Sequence, residues 1–183
     1  LVLNSSFEHM QGSLPYAWSG KDAGMGILDV YKGHTNFWAT FRADTSVARS
    51  GKRSLRLEVN DRVTRNGMVQ YGNTYIAKGK PVTYSIWLKA DRERVAAKLM
   101  GRTAIEIGRE WKKYSHTDHS PRVNSTRFRL DIDSAGVVWA DDVQIEQGES
   151  TGDYRPSAKD GYQFASRSAK QQTPESYAFR EPS

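Results

Sequence analysis

Residues 79–90 decide the fold class of this chain, and they read GKPVTYSIWLKA. The Gly-Lys-Pro start is typical of a turn, and it leads into a run in which apolar and polar side chains alternate. Tyr84, Ile86 and Leu88 fall on one face of this run, and Trp87 falls on the other. A period of two residues predicts a β-strand with one face in a core.

Three further stretches alternate in the same way, at residues 54–59, 126–132 and 137–145. The residues predicted to share an inward face are Leu55, Leu57 and Val59 in the first, Phe128, Leu130 and Ile132 in the second, and Asp141, Val143 and Ile145 in the last. Gly-containing turns are expected at residues 50–52, 65–67, 78–81 and 134–136. Helix signals are nearly absent, so the sequence predicts an all-β fold, an antiparallel β-sandwich or jelly roll.

The character of the chain changes after Glu149. Residues 1–149 are expected to form one β-sandwich module. Residues 150–183 are rich in Ser, Thr, Lys, Gln and Pro, which predicts a linker or an irregular, extended C-terminal arm. The arm also carries more aromatic residues than an inert spacer needs, so part of it is expected to pack on the domain or on a neighbour. These aromatic residues are Tyr154, Tyr162, Phe164, Tyr177 and Phe179.

Composition narrows the choice of partners. The net charge is +6, yet the basic residues are scattered rather than clustered, which argues against a nucleic-acid-binding protein. Aromatic residues make up 11% of the chain, which is more than the core of so polar a chain needs. Some rings are therefore expected on the surface, where they usually contact a ligand or partner. The sequence has no cysteine, which excludes disulfides, thiolate nucleophiles and Cys-based zinc sites.

The sequence also bears on localisation. No apolar run approaches the roughly 20 residues of a membrane span. The chain begins with Leu1 rather than Met, so we expect a processed product or a fragment of a secreted or extracellular multi-modular protein.

Four segments occur in an order that resembles a known family. They are residues 4–8 (NSSFE) followed by Trp18, residues 48–57 (ARSGKRSLRL), residues 79–90, and residues 138–148 (VWADDVQIEQG). Together they resemble the galactose-binding-like jelly roll of carbohydrate-binding module families 4, 9 and 22. The resemblance covers residues 4–148. It implies that Trp18 and Trp87 support the fold, and that the chain is a non-catalytic module that binds polysaccharide.

The resemblance also implies a structural calcium ion between the first and last strands. The matching positions are Glu8, the carbonyls of the turn around Lys52, and Asp141 or Asp142. Calcium prefers six to eight oxygen ligands and accepts carboxylates and carbonyls together. Asp141 is favoured over Asp142 because alternation places it inward. The alternative is that Glu8 and Asp141 are hydrogen-bonded to backbone groups or to Arg53.

Residues 116–119, His-Thr-Asp-His, are the other candidate for a metal site. Two histidines and an aspartate are zinc ligands, but their spacing matches no established site. We expect a solvated polar loop here.

In the resembling families the sugar binds the concave face of one sheet. Alternation points Arg127, Arg129 and Asp131 outward, and the same logic offers Gln70, Lys98 and Arg102 from neighbouring strands. Stacking candidates are Tyr31, Phe37, Trp38 and Tyr71. Because Lys98, Arg102, Arg127 and Arg129 would make the face cationic, we expect an acidic polysaccharide whose carboxylate or sulfate groups pair with guanidinium.

Catalysis is not expected. A glycosidase needs two acids in a defined geometry, one of them in an environment that raises its pKa, and the best pair, Glu106 and Glu110, has no apolar surroundings in the sequence. The alternative to a sugar-binding module is a structural or adhesive jelly roll in a large extracellular or virus-particle assembly, and the arm at 150–183 favours that interpretation.

Overall fold

The structure is a computed structural model that describes residues 2–11, 14–20, 41–61, 66–70, 73–156, 163–164 and 179–180. These residues form strands and loops, with no helix among them. The strands are β1 (Met10–Gln11), β2 (Leu14–Pro15), β3 (Trp18–Gly20), β4 (Phe41–Asp44), β5 (Ser54–Val59), β6 (Asn66–Gln70), β7 (Thr74–Tyr75), β8 (Val82–Ala90), β9 (Val95–Leu99), β10 (Thr103–Ile107), β11 (Lys112–Asp118), β12 (Ser125–Thr126), β13 (Arg129–Ile132), β14 (Gly136–Gln147), β15 (Gln163–Phe164) and β16 (Phe179–Arg180).

Two five-stranded antiparallel sheets make the sandwich. The first sheet has the order β10-β9-β13-β6-β3, and the second has the order β11-β8-β14-β5-β4. Neighbours in each sheet are mostly distant in sequence, as in a jelly roll. The predicted all-β sandwich is therefore confirmed.

The core lies between the sheets and is filled by the alternate residues that the sequence predicts. Leu55, Ile86, Leu88, Phe128 and Leu130 are each 0% exposed. Trp18 is also buried, and its indole Nε1 donates to the carbonyl of Asn4 at 2.9 Å. Strand β8 combines β-branched and aromatic residues that favour extended backbone, and it pairs with β11 on one side and β14 on the other.

Two local expectations are wrong. The turn expected at residues 65–67 does not extend over Asn66 and Gly67, which begin β6. Gly67 is needed there because a Cβ would overlap the carbonyl oxygen of Leu130 on the paired strand β13. The polar loop expected at 116–119 is largely strand, since β11 continues to Asp118. His116 lies against Tyr84 with ring centroids 5.9 Å apart, and its Nδ1 hydrogen-bonds to Thr103.

The segment that follows β14 lies against the outer face of the second sheet. Thr151 Oγ1 donates to Ser85 Oγ at 2.9 Å, and the side chain of Lys113 donates to the carbonyls of Thr151 and Gly152. Tyr154 is hydrogen-bonded to Ser5 at 2.8 Å. The outer face of β8 is therefore covered, and Ser85 is 0% exposed although alternation points it away from the core.

Candidate functional site

The outer face of the first sheet presents the polar residues expected from alternation. Leu130, Ile132 and Leu99 point into the core, so the residues between them on β13 and β9 point out. Asp131 is the register partner of Lys98, which places these two side chains next to each other on that face.

The charges on this face are largely paired with one another. Arg129 donates to both carboxylate oxygens of Asp131, at 2.6 Å from Nε and 3.0 Å from Nη2. Lys98 Nζ lies 3.5 Å from Asp133 Oδ2. The face is therefore less cationic than its arginine and lysine content suggests, and it offers planar groups with fixed donors and acceptors.

Two predicted residues lie elsewhere. Arg102 lies in the turn between β9 and β10 and points to the second sheet, with Nη1 3.9 Å from Asp118 Oδ2. Gln70 is in the interior at 2% exposure, where its amide bonds to Thr74 and to the backbone N–H of Phe128. Its expected outward placement is wrong, because Gln70 shares the inward face of β6 with Met68.

All four predicted stacking residues lie outside the described residues: Tyr31, Phe37, Trp38 and Tyr71.

Tyr75 is an aromatic residue on this face that motif reasoning missed. It is 84% exposed and is the register partner of Ser125 in the short two-stranded β7–β12 sheet. Its neighbour Thr74 is buried and is hydrogen-bonded to the inward-facing Gln70, so Tyr75 points outward. On the same face Arg127 Nε donates to Asn73 Oδ1 at 2.8 Å. The aromatic content had indicated surface rings, but alternation does not identify a two-residue strand such as β7.

The predicted metal ligands lie at the opposite sheet, around a β-bulge in β14. Asp141 pairs with Trp87, and Gln144 pairs with Ser85, so β14 has one residue more than β8 across this interval. Asp142 lies in the bulge and has a φ of 50°. The expected inward direction of Asp141 is wrong, because the bulge resets the alternation before Val143; Asp141 lies on the outer face with Trp87 and is nevertheless 0% exposed.

Hydrogen-bond donors surround the two aspartates. Asp141 Oδ2 accepts from the backbone N–H groups of Arg49 and Ser50 at 2.9 and 3.1 Å, and its Oδ1 accepts from Asp142 N–H at 2.8 Å. Asp142 accepts from the hydroxyl of Ser50 at 2.6 Å and from the guanidinium of Arg49. Burial raises the pKa of Asp141 to about 7, with a further rise from Asp142, while the backbone N–H bonds act in the opposite direction.

Glu8 is held in the same manner. Its Oε1 accepts from the backbone N–H groups of Lys52 and Arg53 at 2.8 and 2.9 Å. Gly51, with φ of 61°, makes room for this carboxylate, since a Cβ there would overlap Glu8 Oε1. The Arg53 guanidinium donates to the backbone carbonyl of Glu8 at 3.0 Å.

These contacts test the predicted calcium site. A calcium ion needs oxygen lone pairs directed at one point, whereas the carboxylates of Glu8, Asp141 and Asp142 meet N–H and O–H donors of the 49–53 turn. Within the described ranges, no group of three or more His, Cys, Asp or Glu side chains is arranged to hold a metal ion. The donor set does not fit calcium, and it matches the hydrogen-bonded alternative.

Comparison with known proteins bears on the fold. The sequence matches no family model and no curated protein. Among solved structures, TmCBM61 in complex with beta-1,4-galactotriose has a TM-score of 0.53 at 11% identity, covering 79% of this chain and 95% of that one. The CBM22-1 xylan-binding domain of Paenibacillus barcinonensis Xyn10C has a TM-score of 0.50 at 17% identity, covering 80% and 94%. The chain has the fold of the carbohydrate-binding modules.

A protein of another kind shares this carbohydrate-binding-module fold. The enzymatically active domain of bacteriophage CBA120 tailspike protein 4 has a TM-score of 0.52 at 14% identity, covering 79% of this chain but 21% of that one. The match therefore involves a part of a much larger chain.

In the described portion of our protein, no helix has the length and apolar character needed to cross a membrane.

Proposed function

We propose that this chain is a non-catalytic carbohydrate-binding module that holds a polysaccharide on the outer face of the first sheet. The observation that carries the proposal is the ring of Tyr75, 84% exposed beside the Arg127–Asn73 pair. An exposed ring offers an apolar platform for the C–H face of a sugar, while planar amide and guanidinium groups bind its hydroxyls.

Further groups on the same face support this function. The Arg129–Asp131 pair presents fixed donors and acceptors at half-buried positions, so a sugar hydroxyl binds without ordering a mobile side chain. The similar structures include a galactotriose complex and a xylan-binding domain, which favours an extended polysaccharide over a small free sugar.

The absence of catalysis is part of the proposal. A glycosidase needs an acid with a raised pKa beside its substrate. The pKa of Asp141 is raised to about 7, but this carboxyl is 0% exposed and enclosed by the 49–50 backbone. No sugar reaches it without local unfolding.

We propose an acidic polysaccharide as the preferred ligand, and this preference depends mainly on one arginine of the face. Lys98 and Arg129 are paired with aspartates, while Arg127 donates to a neutral amide. Arg127 is therefore the cation on this face best suited to a uronate or sulfate group. The module would direct a secreted, multi-modular protein to such a polymer.

Binding to a panel of neutral and acidic polysaccharides, measured by affinity electrophoresis and calorimetry, tests the proposal. We expect Tyr75→Ala to weaken binding to every ligand by up to roughly tenfold, because one stacking contact is worth about 0.5–1.5 kcal/mol. Arg127→Ala should weaken the binding of acidic polymers selectively and reduce the salt dependence of that binding.

Arg92→Ala is the matched control, because Arg92 is an exposed arginine in the turn before β9, paired with Asp91. Unchanged binding by Tyr75→Ala would contradict the site on the first sheet. Equal affinity for neutral and acidic polymers that does not change with salt would contradict the preference for an acidic polysaccharide.

The second candidate is a structural module of a large assembly, favoured by the likeness to the phage tailspike domain. It predicts that the wild-type protein binds no polysaccharide in the panel and that it associates with other parts of its parent chain. Sugar binding that is lost in Tyr75→Ala would exclude this function as the sole role.

A further inference from the structure

Two adjacent carboxylates are enclosed at the bulge of β14. Asp141 and Asp142 are each 0% exposed, and buried charges are costly unless a cation or several donors compensate them. Backbone N–H groups and the Ser50 hydroxyl supply part of this compensation. None of these groups carries a full positive charge, so the pair still calls for a cation.

Arg49 supplies a cation at this position. Its guanidinium forms an ion pair with Asp142 Oδ2, and its own backbone N–H donates to Asp141 Oδ2. The guanidinium carbon lies 3.9 Å from the centroid of the Trp87 ring, a distance at which a cation–π interaction adds to the attraction. One residue therefore contacts both acids and the aromatic ring beneath them.

Further hydrogen bonds fix the segments on either side of this site. Ser54 Oγ donates to the carbonyl of Val47 at 2.6 Å, and the backbone N–H of Val143 donates to Ser5 at 2.9 Å. The turn before β5 and the N-terminal segment are thus both fixed to the bulge. A metal ion bound by Asp142 would compete with the guanidinium for the same oxygen.

We propose that Arg49 is the built-in cation of this site, so that a guanidinium joins the turn before β5 to the bulge of β14 where a structural metal ion would otherwise be required. The fold then keeps its stability without calcium. The inference concerns stability and does not depend on the sugar-binding function.

Thermal unfolding of the wild-type protein tests the proposal without any mutation. We expect the same Tm after EDTA treatment as in millimolar calcium, because the acids already have their cation. A rise of several degrees with calcium, reversed by EDTA, would overturn the proposal and restore the calcium site predicted from the sequence.

The variant Arg49→Met keeps most of the side-chain length and removes the charge. We expect its Tm to fall by roughly 5 °C or more, since the fully buried carboxylate of Asp142 would lose the charged partner that compensates it. Calcium should then recover part of the loss, because the two carboxylates are left uncompensated. Arg92→Met, which alters an exposed pair with Asp91, is the control and should change little.

Terbium luminescence gives a second readout, because Trp87 lies under the guanidinium and can sensitise a nearby lanthanide. We expect no sensitised emission from the wild-type protein and a signal from Arg49→Met. Sensitised emission from the wild-type protein that disappears when calcium displaces terbium would contradict the proposal. An Arg49→Met variant that is as stable as the wild type would contradict it as well.

Discussion

At the scale of single residues, the most constrained positions are those that combine burial with a polar contact. Asp141 is enclosed although it lies on the outer face of its sheet, because the turn at residues 49–50 covers it. Gly67 is constrained in a different way, by the close approach of the Leu130 carbonyl. Each position leads to a measurable consequence.

The raised pKa of Asp141 predicts how stability changes with pH. The pKa is about 7 in the folded chain against 3.8 in the unfolded one. Above pH 4 the unfolded chain therefore loses this proton first, and the free energy of unfolding falls as pH rises to about 7, by at most about 4 kcal/mol. We expect Asp141→Asn to lack this component in urea titrations from pH 4.5 to about 8.

His116 acts in the opposite direction in this pH range. Burial lowers its pKa, so its contribution to stability is present above the unfolded value of 6.5 and is lost as pH falls from there through the lower pKa of the folded chain. The comparison of the wild type with Asp141→Asn cancels this effect because both proteins retain His116. Identical pH profiles for the two proteins would show that the prediction for Asp141 is wrong.

Gly67→Ala should destabilise the sandwich. The new Cβ would overlap a backbone oxygen that cannot move without breaking the β6–β13 pairing, so we expect a loss of about 1–3 kcal/mol in the free energy of unfolding by urea. Gly152→Ala is the control, because a Cβ there meets no atom within 4 Å. Equal stability of the two variants would contradict this explanation.

At the scale of elements, the segment 150–156 behaves as part of the sandwich. Besides its contacts with Ser85 and Lys113, the carbonyl of Asp153 accepts from Gln144 at 3.2 Å, and Gly152 N–H donates to Glu146. The predicted change of character after Glu149 therefore precedes a segment that is hydrogen-bonded to β8, β11 and β14.

Truncation separates this segment from the rest of the arm. We expect removal of residues 150–183 to lower the free energy of unfolding by on the order of 2 kcal/mol, because several partly buried hydrogen bonds are lost. Removal of residues 157–183 is the control, since it keeps all the contacts described above. Urea unfolding of the two truncated proteins makes the comparison, and equal stability would mean that the segment contributes little.

At the scale of the whole molecule, two sheets that differ in what lies on their outer faces enclose one core. On the outer face of the first sheet, Arg129 and Asp131 form a surface pair whose side chains are 43% and 17% exposed. The second sheet has its outer face covered by the 49–50 turn and by residues 150–154. The polysaccharide site that we propose lies on the first sheet, and the Arg49–Asp142 pair lies on the second.

Much of this was accessible from the sequence. Alternation is a local property, and it correctly predicted the strands at 54–59 and 82–90 and the burial of Phe128, Leu130 and Ile132. The order of the four motifs pointed to the fold that the structural comparisons support. The outward direction of Arg129 and Asp131 also followed from the period of two.

Tertiary structure decided the features that depend on contacts between distant segments. A bulge changes the parity of a strand, so the direction of Asp141 could not be read from its neighbours in sequence. Gln70 was placed inward because its amide finds partners in Thr74 and Phe128. The pairing of Arg49 with Asp142 joins residues 93 positions apart. Periodicity reports which face a residue prefers, whereas its partners and its exposure depend on which segments fold over that face.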